Sequence, residues 1–212
     1  MAKRSRSSQH WLERQERDYY SKKARAQGHA SRALYKLEQL DERFRLLSEV
    51  RYVLELGGAP GGWTQYVEQK IPKSGKLITV DPLDVKTGEN SIHICGFVGS
   101  DRVDRQIDEI LNGRRIDIVL SDMAPNMSGI KEYDQAESMK LNFLTIDMVK
   151  RHLKKNGTSV LKTFQSPEIT NLVEEMKNFF SSVRIVKPAA SRKESSEVYV
   201  VAQGFRSMGS PS

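Results

Sequence analysis

The chain is predicted to form one α/β domain, with a mostly parallel seven-stranded sheet, helices on both faces and an antiparallel hairpin at its C-terminal end. Three observations predict it. Short apolar runs alternate with amphipathic stretches along most of the length, the pattern of successive strand and helix units that lay down a parallel sheet. The first of those runs ends in a glycine-rich turn that feeds a helix, the place where doubly wound sheets bind ligands. The last two apolar runs have no helical stretch between them, so they pair antiparallel.

From about residue 30 a helix is expected, because Ala33, Leu34, Leu37, Leu40 and Phe44 recur at helical spacing behind Ser31, a suitable cap. This helix carries Lys36. The run 52–56 is a strand ending in Gly57-Gly-Ala-Pro-Gly-Gly62, and 63–71 reads as a helix. A second strand follows over 76–81, a third over 91–97, a helix over 101–111 and a fourth strand over 116–122. A long helix over 135–154 leads to a fifth strand over 158–164, and 167–180 is again helical. Strands over 183–187 and 197–205 form the hairpin, joined through the polar stretch Ser191-Arg-Lys-Glu-Ser-Ser. The organisation expected is a basic segment over 1–28, the α/β domain over 29–206 and a short disordered tail over 207–212.

Composition narrows the function. With 212 residues, 38% hydrophobic and 29% charged, the chain is long enough for one real core. No apolar run approaches the roughly 18 to 20 residues of a bilayer span, and the basic start lacks the apolar stretch of a signal peptide. A soluble, cytoplasmic protein without a membrane partner is expected. One cysteine, Cys95, and four scattered histidines suit a reducing compartment and a site without metal. Residues 1–36 hold ten Lys or Arg against three acidic residues, a surplus of seven that equals the net charge of the whole chain, +7. Trp11, Tyr19, Tyr20 and Tyr35 are interleaved with those cations. Phosphate neutralisation combined with stacking makes RNA the expected partner, although a basic start alone also suits a solubilising tail.

The glycine turn lets the backbone bend sharply and approach a ligand without a Cβ in the way. Asp81, 20 residues after Gly61 and at the end of the next strand, is placed to accept hydrogen bonds from ribose hydroxyls. A dinucleotide would also use such a pair. Here the spacing is not G-x-G-x-x-G, and Pro60 removes a backbone N–H that a pyrophosphate could use. Trp63 adds a flat surface expected to lie near the ligand, so a cofactor without a pyrophosphate fits better.

Four segments, Leu56-Gly-Gly-Ala-Pro-Gly-Gly-Trp-Thr-Gln-Tyr-Val67, Ser121-Asp-Met-Ala-Pro-Asn-Met-Ser-Gly129, Val160-Leu-Lys-Thr-Phe-Gln165 and Ser196-Glu-Val-Tyr-Val-Val201, resemble in order the signature segments of the FtsJ/RrmJ family of ribose 2′-O-methyltransferases. The similarity runs from about Trp11 to Phe205 and includes the helix segment Arg32-Ala-Leu-Tyr-Lys36-Leu. It implies a Rossmann-like class I methyltransferase that uses S-adenosyl-L-methionine. It also implies action, as a monomer, on a uridine ribose of large-subunit ribosomal RNA within a ribosomal particle. A catalytic Lys-Asp-Lys-Glu tetrad then falls on Lys36, Asp122, Lys162 and Glu197, and cofactor contacts fall on Gly61, Trp63, Asp81 and Asp122. One departure stands out. Where the family carries Gly-Asp-Phe, with the Asp on the adenine, this chain has Cys95-Gly96-Phe97, so adenine recognition at Phe97 would rest on backbone groups or stacking.

The chemistry suits those residue types. A ribose hydroxyl is a poor nucleophile, so the enzyme must align an in-line transfer and help remove one proton. Lys162 is the expected base; a free lysine, with a pKa of about 10.4, needs burial or a neighbouring cation such as Lys36 to act as one. Asp122 and Glu197 oppose this and can instead fix the direction of the amine. Lys162 lies inside an apolar strand, where an unpaired ammonium would be costly. Lys36 and Glu197, taken alone, read as ordinary solvated side chains, and Pro125 and Asn126 either shape a substrate loop or simply turn the chain. Transfer RNA or a messenger cap as substrate, a protein or small-molecule methyl acceptor, and a catalytically silent ribosome-assembly protein are the alternatives at this point.

Overall fold

The structure, a computed structural model, describes residues 19–192 and 195–206. Its sheet has seven strands: β1 (Tyr52–Leu56), β2 (Lys76–Asp81), β3 (Ser91–Cys95), β4 (Ile116–Ser121), β5 (Leu153–Phe164), β6 (Phe180–Val186) and β7 (Glu197–Phe205). Their spatial order is β3-β2-β1-β4-β5-β7-β6. All neighbouring pairs are parallel except those made by β7, which runs against both β5 and β6. The expected fold class and the reversed strand near the end are thus observed.

Among the described residues six helices cover the sheet: α1 (Tyr19–Ala26), α2 (Ala33–Phe44), α3 (Gly62–Lys70), α4 (Asp101–Leu111), α5 (Lys131–His152) and α6 (Ile169–Lys177). Strand alternation builds two cores. Leu54 and Leu56 of β1, Val119 of β4 and Leu161 of β5 pack with Val103, Ile107, Ile146, Val149 and Leu172 from α4, α5 and α6. Val53, Leu120 and Val160 face the other way, against Leu34, Leu37, Leu40, Trp63 and Val67 from α2 and α3. No helix among the described residues is long and apolar enough to cross a membrane.

Several boundaries differ from expectation, each for a local reason. Helix α5 starts at Lys131 rather than 135, because buried Asp134 reaches back to the N–H groups of Ser128 (2.8 Å) and Gly129 (3.2 Å) and steadies the first turn. Helix α6 spans Ile169–Lys177, shorter than 167–180. Phe179 and Phe180 instead join an aromatic cluster with Phe205, with ring centroids 5.4–6.1 Å apart, and β6 opens at Phe180. Strand β3 stops at Cys95, where Gly96 turns back and donates to the Asp81 carbonyl at 3.0 Å. The expected basic segment over 1–28 falls partly on 1–18, outside the described residues. Its remainder includes α1, which packs on the domain: Ala24 is buried in the second core and Tyr20 lies against Tyr35 at 5.5 Å.

Candidate active site

The strand order changes direction between β1 and β4, since β2 and β3 continue to one side and β5 to the other. Ligands of open α/β sheets bind at the carboxyl ends of the strands flanking such a point. Here the turns after β1 and β4 touch: the Asp122 N–H donates to the Leu56 carbonyl at 3.0 Å. Gly57 has φ +78°, and a Cβ there would come within 2.8 Å of the Met123 backbone nitrogen, so only glycine permits this approach. A Cβ on Gly62 would meet the Ser31 hydroxyl at 2.3 Å, and the Trp63 indole N–H donates to the Ala33 carbonyl at 2.8 Å. These contacts clamp the start of α2 onto the start of α3, which sets the position of Lys36. Ser31 accepts from the Ala33 N–H at 3.2 Å, though the helix proper begins two residues after it.

Asp81 closes β2 at the same edge. One carboxylate oxygen accepts from the Leu83 N–H (2.8 Å) and the other from the Ala59 N–H (3.0 Å), so the side chain is fixed while each oxygen keeps acceptor capacity. Gly61, with φ +101°, caps α3 beside it. Trp63 departs from its expected role: its indole is 2% exposed and lies 5.7 Å from the Tyr199 ring, so it is core and offers no flat surface to a ligand. Its backbone lies in the first turn of α3, directly after the glycine turn. Phe97 is 73% exposed just beyond β3, and its carbonyl is held by the Ser100 hydroxyl at 2.8 Å.

The four tetrad residues come together on the α2 side of the sheet. Lys162 of β5 is nearly buried, and its Nζ donates to the Asp122 carbonyl at 2.5 Å and lies 3.1 Å from Asp122 Oδ1. Asp122 thereby engages two of the three positions on the amine, and the third can meet an incoming hydroxyl. Lys36 pairs with Glu197 Oε1 at 2.5 Å. Between the two pairs stands Tyr199, which the sequence reading did not single out. It lies opposite Lys162 in the β5–β7 register, and its hydroxyl donates to Asp122 Oδ1 at 2.9 Å, with Glu197 Oε1 3.3 Å away. Burial, and then the Asp122 and Glu197 charges, push its pKa well above the ordinary tyrosine range, so it remains a proton donor. The signal that could have found it is strand alternation, which puts Glu197 and Tyr199 on one face.

Beneath the glycine turn, Glu55 of β1 is fully buried and accepts from the Thr64 hydroxyl at 2.7 Å. Burial pushes its carboxyl up to about 7, with the Asp122 and Glu68 charges adding and the Thr64 hydrogen bond opposing. The folded state therefore holds a proton that the unfolded chain releases at its ordinary value of 4.5. Stability from this group is complete below that value and is lost as pH rises through about 7, by about 3 kcal/mol. Glu55→Gln, which mimics the protonated form, is expected to match the wild type at pH 5 and exceed its unfolding free energy at pH 8.5. Urea titrations at the two pH values check this, and parallel pH profiles would contradict it.

Comparison with known proteins sets this geometry in context. A family model described as FtsJ-like methyltransferase matches residues 29–205. A relative from Stenotrophomonas maltophilia, named ribosomal RNA large subunit methyltransferase E, is 43% identical over 206 residues, 97% of this chain and 98% of the relative. A crystal structure from Plasmodium falciparum, described as a ribosomal RNA methyltransferase, superposes with a TM-score of 0.74 at 30% identity and covers 84% of this chain and 100% of its own. A Streptococcus mutans methyltransferase crystallised with SAH shares the fold, with a TM-score of 0.51 at 12% identity over 79% of this chain and 97% of its own.

Proposed function

Because the chain belongs to the FtsJ-like methyltransferase family, we propose that it transfers the methyl group of S-adenosylmethionine to a ribose 2′-hydroxyl, on a uridine of large-subunit ribosomal RNA. The observation that carries this reading is the pairing of buried Lys162 with half-buried Asp122, joined through Tyr199 to Lys36–Glu197 at the carboxyl edge of the sheet.

The residues present fit that cofactor. Asp81 keeps acceptor capacity for two ribose hydroxyls, Gly61 and the Trp63 backbone leave the first turn of α3 approachable, and Pro60 withholds the N–H that a pyrophosphate would favour. The exposed Phe97 ring supplies a face on which an adenine can stack. Asp122 serves both sides, since its carboxylate and carbonyl hold Lys162 while the residue lies against the turn after β1. When bound, the cofactor supplies a methyl group already activated on a sulfonium.

The chain's own work is then alignment and one proton transfer. Lys162, as the neutral amine, receives the hydroxyl proton on its nitrogen lone pair, while its N–H bonds point to the Asp122 carbonyl and carboxylate, which Tyr199 holds in place. Lys36, held by Glu197, presents a point charge to the substrate ribose or an adjacent phosphate. Helix α1 exposes Lys22 and Arg25 and continues the basic character of residues 1–18, which suits the phosphate backbone of an RNA. The enzyme acts as a monomer in the cytoplasm, on RNA within a ribosomal particle. Methyl-labelled cofactor offered together with unmethylated large-subunit particles, transfer RNA and a protein extract tests this. Label is expected in large-subunit RNA, and label in protein or transfer RNA instead would overturn the reading.

A further inference from the structure

Among the described residues, three of the most exposed large apolar side chains fall within seven consecutive positions: Met127 (61%), Ile130 (63%) and Tyr133 (55%). They sit on the segment that leaves β4 at Asp122 and enters α5. That segment is held at both ends. Met123 packs against Gly57 at one end. At the other, buried Asp134 accepts from the Ser128 hydroxyl and N–H, both at 2.8 Å, and from the Gly129 N–H at 3.2 Å, while the Ser128 hydroxyl accepts from the Ile130 N–H at 3.1 Å. The Gln135 side chain reaches the carbonyl of Gln165, three residues beyond Lys162, at 3.5 Å, so the start of α5 borders the same mouth.

A loop fixed by a buried carboxylate, yet holding a thioether, a branched alkyl chain and an aromatic ring in water, is built to receive an apolar surface. Ile130 caps α5 in an extended conformation and Tyr133 stands three residues later in its first turn, so both lie at the same end of the helix. A ribose hydroxyl can reach buried Lys162 only if its nucleotide leaves the RNA stack, and the freed base then needs a flat, apolar seat. We propose that Met127, Ile130 and Tyr133 form a ledge that seats the base of the target nucleotide by stacking, next to the Lys162–Asp122 pair. This rests on the reading of the site as an RNA ribose methyltransferase.

The test compares Tyr133→Ala, Tyr133→Phe and Ile130→Ala with wild type. Steady-state methyl transfer to unmethylated large-subunit particles is measured, with S-adenosylmethionine affinity determined separately by calorimetry. Tyr133→Ala is expected to raise the KM for particles about tenfold, within the range of a lost base–aromatic stack. Tyr133→Phe should stay near wild type, Ile130→Ala should show a smaller rise, and cofactor affinity should hold within twofold in all three. Unchanged kcat/KM in both alanine variants would overturn the ledge while leaving the enzyme reading intact. A rise that is matched by lost cofactor affinity, or that Tyr133→Phe fails to rescue, would also overturn it. Wild-type protein that methylates no RNA would overturn the enzyme reading, and the ledge with it.

Discussion

Lys162→Ala is expected to lower the single-turnover rate of methyl transfer about a thousandfold, the scale of a lost general base, while S-adenosylmethionine affinity changes less than threefold. The amine has two fixed contacts on Asp122 and one open position, and truncation removes the group assigned to take the hydroxyl proton. Asp122 keeps the Tyr199 hydroxyl at 2.9 Å and its own backbone tie to Leu56, so the cofactor edge should persist. Lys162→Arg should fail as well, because a guanidinium does not give up its proton near neutral pH. A rate within tenfold of wild type in the alanine variant would assign the proton to another group.

Asp81→Ala is expected to produce the complementary phenotype. Its carboxylate ties the glycine turn, through the Ala59 N–H, to the chain leaving β2, through the Leu83 N–H, and offers its remaining acceptor positions to ribose hydroxyls. Hydrogen bonds to a charged acceptor contribute about 1.5–3 kcal/mol each. Loss of two should weaken cofactor binding by at least about a hundredfold, with kcat at saturating cofactor largely recovered. Calorimetric titration beside a thermal melt separates this from unfolding, and a Kd within threefold of wild type in a folded variant would remove Asp81 from the cofactor site.

Much of this was legible in the sequence. Strand alternation and the Gly57–Gly62 turn predicted the parallel sheet and the ligand-binding turn after β1, because both reflect backbone constraints that any side-chain context must respect. The tetrad positions came from resemblance: nothing local in Lys36 or Glu197 distinguishes a buried ion pair from two solvated charges, since their meeting joins residues 161 positions apart. Tyr199 was hidden for another reason. Strand β7 is buried on both faces, so apolar neighbours at Val198 and Val200 obscured the two-residue period that aims Glu197 and Tyr199 at one site. Trp63 misled because its position after the glycine turn suggests ligand contact, whereas the first turn of α3 aims the indole at α2 and Tyr199. The charge of α1 likewise masked an inward face with Tyr20 and Ala24 at i,i+4 spacing.

The central claim concerns one atom, the ribose 2′-oxygen. Alkali cleaves RNA through attack by that oxygen on the neighbouring phosphate, and a methyl group on it blocks the cut. Large-subunit particles labelled by the wild-type protein should therefore yield, after alkaline hydrolysis of their RNA, all the methyl label in one alkali-resistant dinucleotide, with none from the Lys162→Ala protein. Label recovered in ordinary mononucleotides, the mark of methylation on a base, would contradict the account.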